Sequence, residues 1–116
     1  MTKICLEIKI DVKKSSVKLC FECKGHCEHD VCVSISALVS TLVQIVEDSD
    51  LKKEPEIIYE HGNVEIKAEF NRLYYECLIR QKIEAVMLGL RMFESNYPDE
   101  IKIECGGVVF EKESIL

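Results

Sequence analysis

Residues 17–38 read Val17-Lys18-Leu19-Cys20-Phe21-Glu22-Cys23-Lys24-Gly25-His26-Cys27-Glu28-His29-Asp30-Val31-Cys32-Val33-Ser34-Ile35-Ser36-Ala37-Leu38. Up to Cys23 the pattern alternates: Val17, Leu19, Phe21 and Cys23 point one way, Lys18, Cys20 and Glu22 the other. That is the period of a strand with one buried face. Gly25 ends it. Asp30 is the expected N-cap of a helix, because a short acceptor side chain can bond the free N–H groups of a first helical turn. From Val31 to about Glu47 the apolar period becomes helical, with Ile35, Leu38, Leu42 and Ile45 on one stripe. One short loop therefore separates a predicted strand from a predicted helix.

Working outward, Lys3 to Asp11 alternates in the same way, with Ile4, Leu6, Ile8 and Ile10 inward and Cys5, Glu7 and Lys9 outward. The polar turn Lys13-Lys14-Ser15-Ser16 joins the two strands as a hairpin. Downstream of the helix, Glu47 to Pro55 is a charged connection. Glu56 to Tyr59 and Val64 to Phe70 read as a second hairpin, with His61-Gly62-Asn63 at its turn. Asn71 is a plausible cap for a long helix to about Ser95, whose stripe is Ile79, Ile83, Val86, Leu90 and Phe93. Tyr97-Pro98 closes that helix, because the residue before proline resists helical backbone angles. Ile101 to Cys105 is a last short strand. The order ββαββαβ predicts an α+β fold: a two-layer sandwich of a mostly antiparallel sheet and two main helices. Residues 1–105 form the domain and residues 106–116 a C-terminal tail. In the first helix Val33, Val39, Val43 and Val46 fall outside or at the border of the stripe. A second helix or a second subunit is expected to cover them.

The chain has 116 residues, 47% of them hydrophobic and 31% charged, with a formal net charge of −6. This is the composition of an ordinary globular domain. The acidic balance disfavours direct nucleic-acid binding, which is driven mainly by Lys and Arg. No apolar run is expected to approach the ~20 residues of a membrane span, and no signal peptide precedes the first strand. These features predict a cytoplasmic protein without a membrane partner. Seven cysteines are then expected as thiols rather than as a disulfide framework, since the number is odd and the apolar content suffices for a core. No glycine-rich phosphate loop or other cofactor motif is present, so no cofactor is expected.

The chemistry concentrates between Gly25 and Cys32, where thiols and imidazoles meet a helix N-terminus, whose dipole favours anions. Cys32, in the first predicted turn, is the candidate nucleophile. His26 and His29 are the candidate bases, and Asp30 could orient an imidazole. Ser36, one turn beyond Cys32, could touch a bound peptide. A structural zinc site is the competing reading, drawing on Cys20, Cys23, Cys27, Cys32, His26 and His29. Strand alternation, however, sends Cys20 and Cys23 to opposite faces. The blander reading is a cysteine that only packs at a helix start.

Gly25-His26, followed by Asp30-Val31-Cys32-Val33-Ser34-Ile35-Ser36-Ala37-Leu38, resembles the Gly-His-Ala … Asp-Ile-Val-Cys-Ala-Ala-Val-Ser-Ala-Leu pattern of the ribosomal-processing cysteine proteases (Prp). The resemblance continues through the Tyr59 to Ile66 hairpin and through Leu88-Gly89-Leu90 to Tyr97-Pro98, and covers roughly residues 3 to 105. Three features depart from it. The loop from His26 to Cys32 is shorter, Asp30 precedes the cysteine by two residues with His29 in its usual place, and Cys27 stands where the pattern has a small residue. The resemblance implies a homodimeric cysteine protease with a His26–Cys32 dyad. Its implied substrate is the N-terminal extension of a large-subunit ribosomal protein, number twenty-seven of that subunit. A non-catalytic module of the same fold, binding ribosomal protein during ribosome assembly, is the alternative.

Overall fold

The computed structural model describes residues 1–110. Strands β1 (Thr2–Asp11), β2 (Ser16–Lys24), β3 (Glu56–Glu60), β4 (Asn63–Asn71) and β5 (Ile101–Phe110) form one sheet in the order β3-β4-β2-β1-β5. All neighbours are antiparallel except β1 and β5, which run parallel. Helix α1 spans His29–Glu47. A second helical segment, residues 72–96 and here α2, consists of Arg72–Tyr74, a π-helical turn Tyr75–Ile79 and Arg80–Asn96. This is the α+β two-layer fold that the periodicities predict.

The alternation explains the layers. Ile4, Leu6, Ile8 and Ile10 of β1, Val17, Leu19, Phe21 and Cys23 of β2, and Val64, Ile66, Ala68 and Phe70 of β4 are all buried on the helix-covered face. Ile79, Ile83, Val86 and Leu90 of α2 meet them there, with Met87 beside them and Phe93 partly buried. The helices approach closely at Gly89, where an added Cβ would lie 3.1 Å from both Leu38 methyl carbons. Tyr97 ends α2, its N–H donating to the Phe93 carbonyl at 2.7 Å before Pro98.

Four expectations change. First, the buried side of α1 is Val31, Ile35, Val39, Leu42, Val43 and Val46, whereas Leu38 and Ile45 only border the core. Three of the four valines expected to need a second helix or a second subunit thus belong to the core, the second helix being the cover that the fold supplies, and Val33 stays 57% exposed. The periodicity argument for a second subunit falls away, because α2 and the sheet together cover more of the helix than one stripe. Burying six aliphatic side chains contributes roughly 9–18 kcal/mol before chain entropy is subtracted. Second, α1 is long and apolar enough, at 19 residues and mean hydropathy 1.6, to match a membrane span by length and composition. The same traits belong to a core helix packed on a sheet, which is how α1 is built here.

Third, β5 runs on through Gly106-Gly107 to Phe110, past its expected end at Cys105. Parallel pairing with β1 continues to Ile10 opposite Phe110, which carries the strand into the expected tail. Residues 111–116 of that tail lie outside the described residues. Fourth, Cys5 is disulfide-bonded, so the seven cysteines are not a wholly reduced set. In the β1–β5 register Cys5 stands opposite Cys105.

Candidate active site

The site lies at the end of the sheet where the chain leaves β2 for α1. Three bonds hold its segments together. The Gly25 N–H donates to the Gly62 carbonyl at 3.0 Å, tying the loop to the β3–β4 turn. The Thr2 N–H donates to the Glu100 carbonyl at 2.8 Å. The Glu28 N–H donates to Glu100 Oε2 at 2.7 Å, anchoring the start of α1 to the segment before β5. Gly25 has φ +106°, in the left-handed region, and an added Cβ would collide with the Met1 carbonyl oxygen. Only glycine fits both constraints.

Cys32 sits in the first turn of α1, half-buried, its N–H donating to the Glu28 carbonyl at 2.8 Å. Asp30 is not the cap. The helix begins at His29, Glu28 occupies the N-cap position with extended backbone, and no side chain caps the turn. Asp30, already inside the helix, is exposed, and its carbonyl accepts a hydrogen bond from Ser34 Oγ at 3.2 Å.

Cys32 opens on a cavity of about 350 Å³. Ile35, Val39 and Val64 give it apolar walls, while Ser36, Tyr59, Glu60, His61 and Asn63 supply polar groups. Tyr59 Oη and Ser40 Oγ share a hydrogen bond that links β3 to α1. Asn63 Oδ1 is buried without a hydrogen-bond partner. Cys23 and Cys27 line the same cavity, so three thiols converge there. Burial pushes the Cys23 thiol up to about 11, with Cys27 and Cys32 adding to the effect. Burial also pushes the Cys27 thiol upward, and the neighbouring Cys32 side chain adds to that, against hydrogen bonding to Thr2 that pulls it down. A larger cavity of about 670 Å³ lies over Leu6, Ile8 and Ile10 beside α2. Among the described residues its lining includes neither cysteine nor histidine.

Of the residues singled out from sequence, Gly25, Cys32 and Ser36 line the smaller cavity. His26 stands beside its lining rather than within it. The His26 ring packs on His61 with centroids 4.8 Å apart and a 38° tilt. It also covers Gly62, where an added Cβ would lie 2.7 Å from His26 Cε1 and Nε2. His29 is the exposed first residue of α1 and does not line this cavity. The residue that sequence reasoning missed is His61. It reads as a hairpin tip, and only the β4–β2 pairing brings that tip to the loop. Among the described residues no cluster of three or more His, Cys, Asp or Glu side chains is disposed to hold a metal ion. Cys20, on the opposite face of β2 from Cys23, is removed from the thiol group.

No protein-family model and no curated protein sequence matches the chain. Solved structures do. The essential ribosomal processing protease Prp from S. aureus, in complex with a covalently linked product peptide, superposes with a TM-score of 0.61 at 19% identity. The match covers 89% of this chain and 99% of that one. The chain has the Prp fold. The same protease in complex with a substrate peptide gives a TM-score of 0.60 at 19% identity, again over 89% and 99% of the two chains. The protein SMU.848 from Streptococcus mutans gives 0.62 at 18% identity over 96% of each chain. The Prp fold thus accounts for nearly the whole of these chains, end to end, at identities that speak for architecture alone.

Proposed function

We propose that this chain is a cysteine endopeptidase of the Prp type, acting on an extended N-terminal peptide of large-subunit ribosomal protein twenty-seven in the cytoplasm. The observation that carries the reading is the placement of Cys32: a half-buried thiol at the first turn of α1, facing a cavity with an imidazole pair beside it. The peptide-bound complexes of the S. aureus protease support it by fold. In the proposed reaction a histidine takes the Cys32 thiol proton as Sγ attacks the scissile carbonyl carbon, and passes it to the leaving amine as the carbon–nitrogen bond breaks. Water then attacks the thioester carbon, the same histidine accepts its proton, and the carbon–sulfur bond breaks to release the acid and return the proton to Cys32. His26 is the first choice for that role on the resemblance, and His61 competes on geometry because it lines the cavity.

The test is incubation of the reduced protein with a synthetic peptide spanning the extension of the source organism's own ribosomal protein. Mass spectrometry should find one cut in that peptide. Cys32→Ser should retain the thermal transition and lose cleavage by a factor of at least ~10³.

A binding module of the same fold is the second reading. It is favoured by one observation: the His26 ring packs on His61 and Gly62, outside the lining of the cavity that holds Cys32. Saturable peptide binding without cleavage, unchanged in Cys32→Ser, would establish that reading instead. Homodimerisation remains an implication of the resemblance, and sedimentation at micromolar concentration tests it.

A further inference from the structure

We infer that Cys27 and Cys32 form a reversible redox couple that blocks the site when a hydroperoxide is present. The inference rests on the proposed function only in taking Cys32 as the nucleophile. Its own basis is the meeting of thiols at one cavity.

Both side chains are half-buried and line the same cavity, so oxidant entering there reaches them together. Cys32 is fixed in a helical turn. Cys27 lies in the short connection between β2 and α1, outside any regular element. A disulfide requires sulfur atoms about 2.05 Å apart and Cβ atoms about 3.5–4.5 Å apart. Adjustment toward that geometry falls to Cys27, the side with less to hold it. Cys23, the third thiol, is a weaker competitor: it is locked in the strand ladder of β2, and burial keeps it protonated up to about 11. Cys77, exposed on α2, serves as an internal comparison.

The chemistry balances in two steps. The Cys32 sulfur attacks hydrogen peroxide, forming an S–O bond as the O–O bond breaks and one water leaves. Cys27 sulfur then attacks the Cys32 sulfenic acid, forming the S–S bond as the S–O bond breaks. The departing hydroxide takes the Cys27 proton and leaves as a second water. Two thiols are oxidised, and one peroxide is reduced to two waters.

The experiment treats the full chain with hydrogen peroxide and maps its peptides without reduction, while peptide cleavage is followed in parallel. The wild type should yield a Cys27–Cys32 bridged peptide. Its cleavage should fall more than about tenfold and return with dithiothreitol. In Cys27→Ser, compared with its own reduced state, the same peroxide should drive Cys32 to sulfinic acid, and dithiothreitol should restore nothing. Over-oxidised Cys32 without a bridge in the wild type, or a bridge to Cys23, overturns the couple. A bridge in a protein that cuts no peptide even when reduced keeps the couple and removes the protease reading. Cleavage without any bridge does the reverse.

Discussion

The molecule contains two strand-to-helix junctions built on nearly the same backbone. At Glu28, entering α1, the angles are φ −57° and ψ 144°; at Asn71, entering α2, they are −64° and 136°. Asn71 uses that geometry as an N-cap should, its Oδ1 accepting from the N–H groups of Leu73 at 3.0 Å and Tyr74 at 3.4 Å. Glu28 caps nothing. Its own N–H is bound by Glu100, and the first turn of α1 is left without a side-chain acceptor. The second junction follows the local rule and carries no thiol or imidazole within it. The first breaks the rule and gathers Gly25, His26, Cys27 and Cys32. A departure from good capping at the chemically dense junction, next to one that shows the rule can be met, is the pattern expected where function competes with stability.

The largest expected effect breaks the first junction's chemistry without touching its backbone. With His26 as the base, His26→Ala lowers cleavage by roughly 10²–10⁴-fold. His61→Ala then has a small effect, and His29→Ala leaves substantial activity, because that residue is exposed and lines no part of the cavity. If His61→Ala is the dead variant, the β3–β4 turn supplies the base and His26 positions it. Peptide-cleavage rates across the pH range for each variant decide the matter, since loss of the base removes the acid limb of the profile.

The backbone comes next. Gly25→Val forces a β-branched residue into φ +106° and toward the Met1 carbonyl. A cost of about 1–3 kcal/mol is expected from the strain alone. Cleavage should fall by more than that loss of folding explains, because the same residue bonds Gly62 and leads directly into His26. Urea melts and cleavage rates measured on the same preparation compare the two. Equal losses would reduce Gly25 to a structural turn.

Much of this molecule is legible in its sequence because the informative signals are local. The strand faces of β1, β2 and β4 follow from alternation alone, and Asn71 announces its helix. The errors have a common physical origin in what covers each element. Val39, Val43 and Val46 lie outside a single stripe because such a stripe describes a helix with one neighbour, and α1 packs on both the sheet and α2. Cys105 looked like a strand end because Gly106-Gly107 breaks the side-chain pattern, yet backbone pairing with β1 needs no side chains. His61 could not be read as part of the site because its place depends on strand order. The loop of one hairpin meets the tip of the other only through β2–β4 pairing and the Gly25–Gly62 bond. The thiol group is legible in part: alternation turns Cys23 inward and Cys27 lies in the loop, but the cavity they share with Cys32 is a tertiary fact.

The smallest expected effect sharpens the comparison most directly, by exchanging the behaviours of the two junctions. Asn71→Ala removes two bonds to the first turn of α2 and should destabilise the fold by about 0.5–2 kcal/mol with cleavage unchanged. Glu28→Ser does the opposite at α1. Glu28 is exposed and its backbone already has extended cap angles, so a serine hydroxyl can accept from the first-turn N–H groups. Its N–H, the group bound to Glu100, is retained. The fold should gain roughly 0.5–1 kcal/mol, read as a higher denaturation midpoint. What happens to cleavage then says why the junction was left open. If those N–H groups face negative charge developing beside Cys32, occupying one with a serine oxygen slows the chemical step while the protein becomes more stable. If the rate is unchanged, the missing cap is unconnected with catalysis, and the contrast between the two junctions reduces to the identity of one side chain.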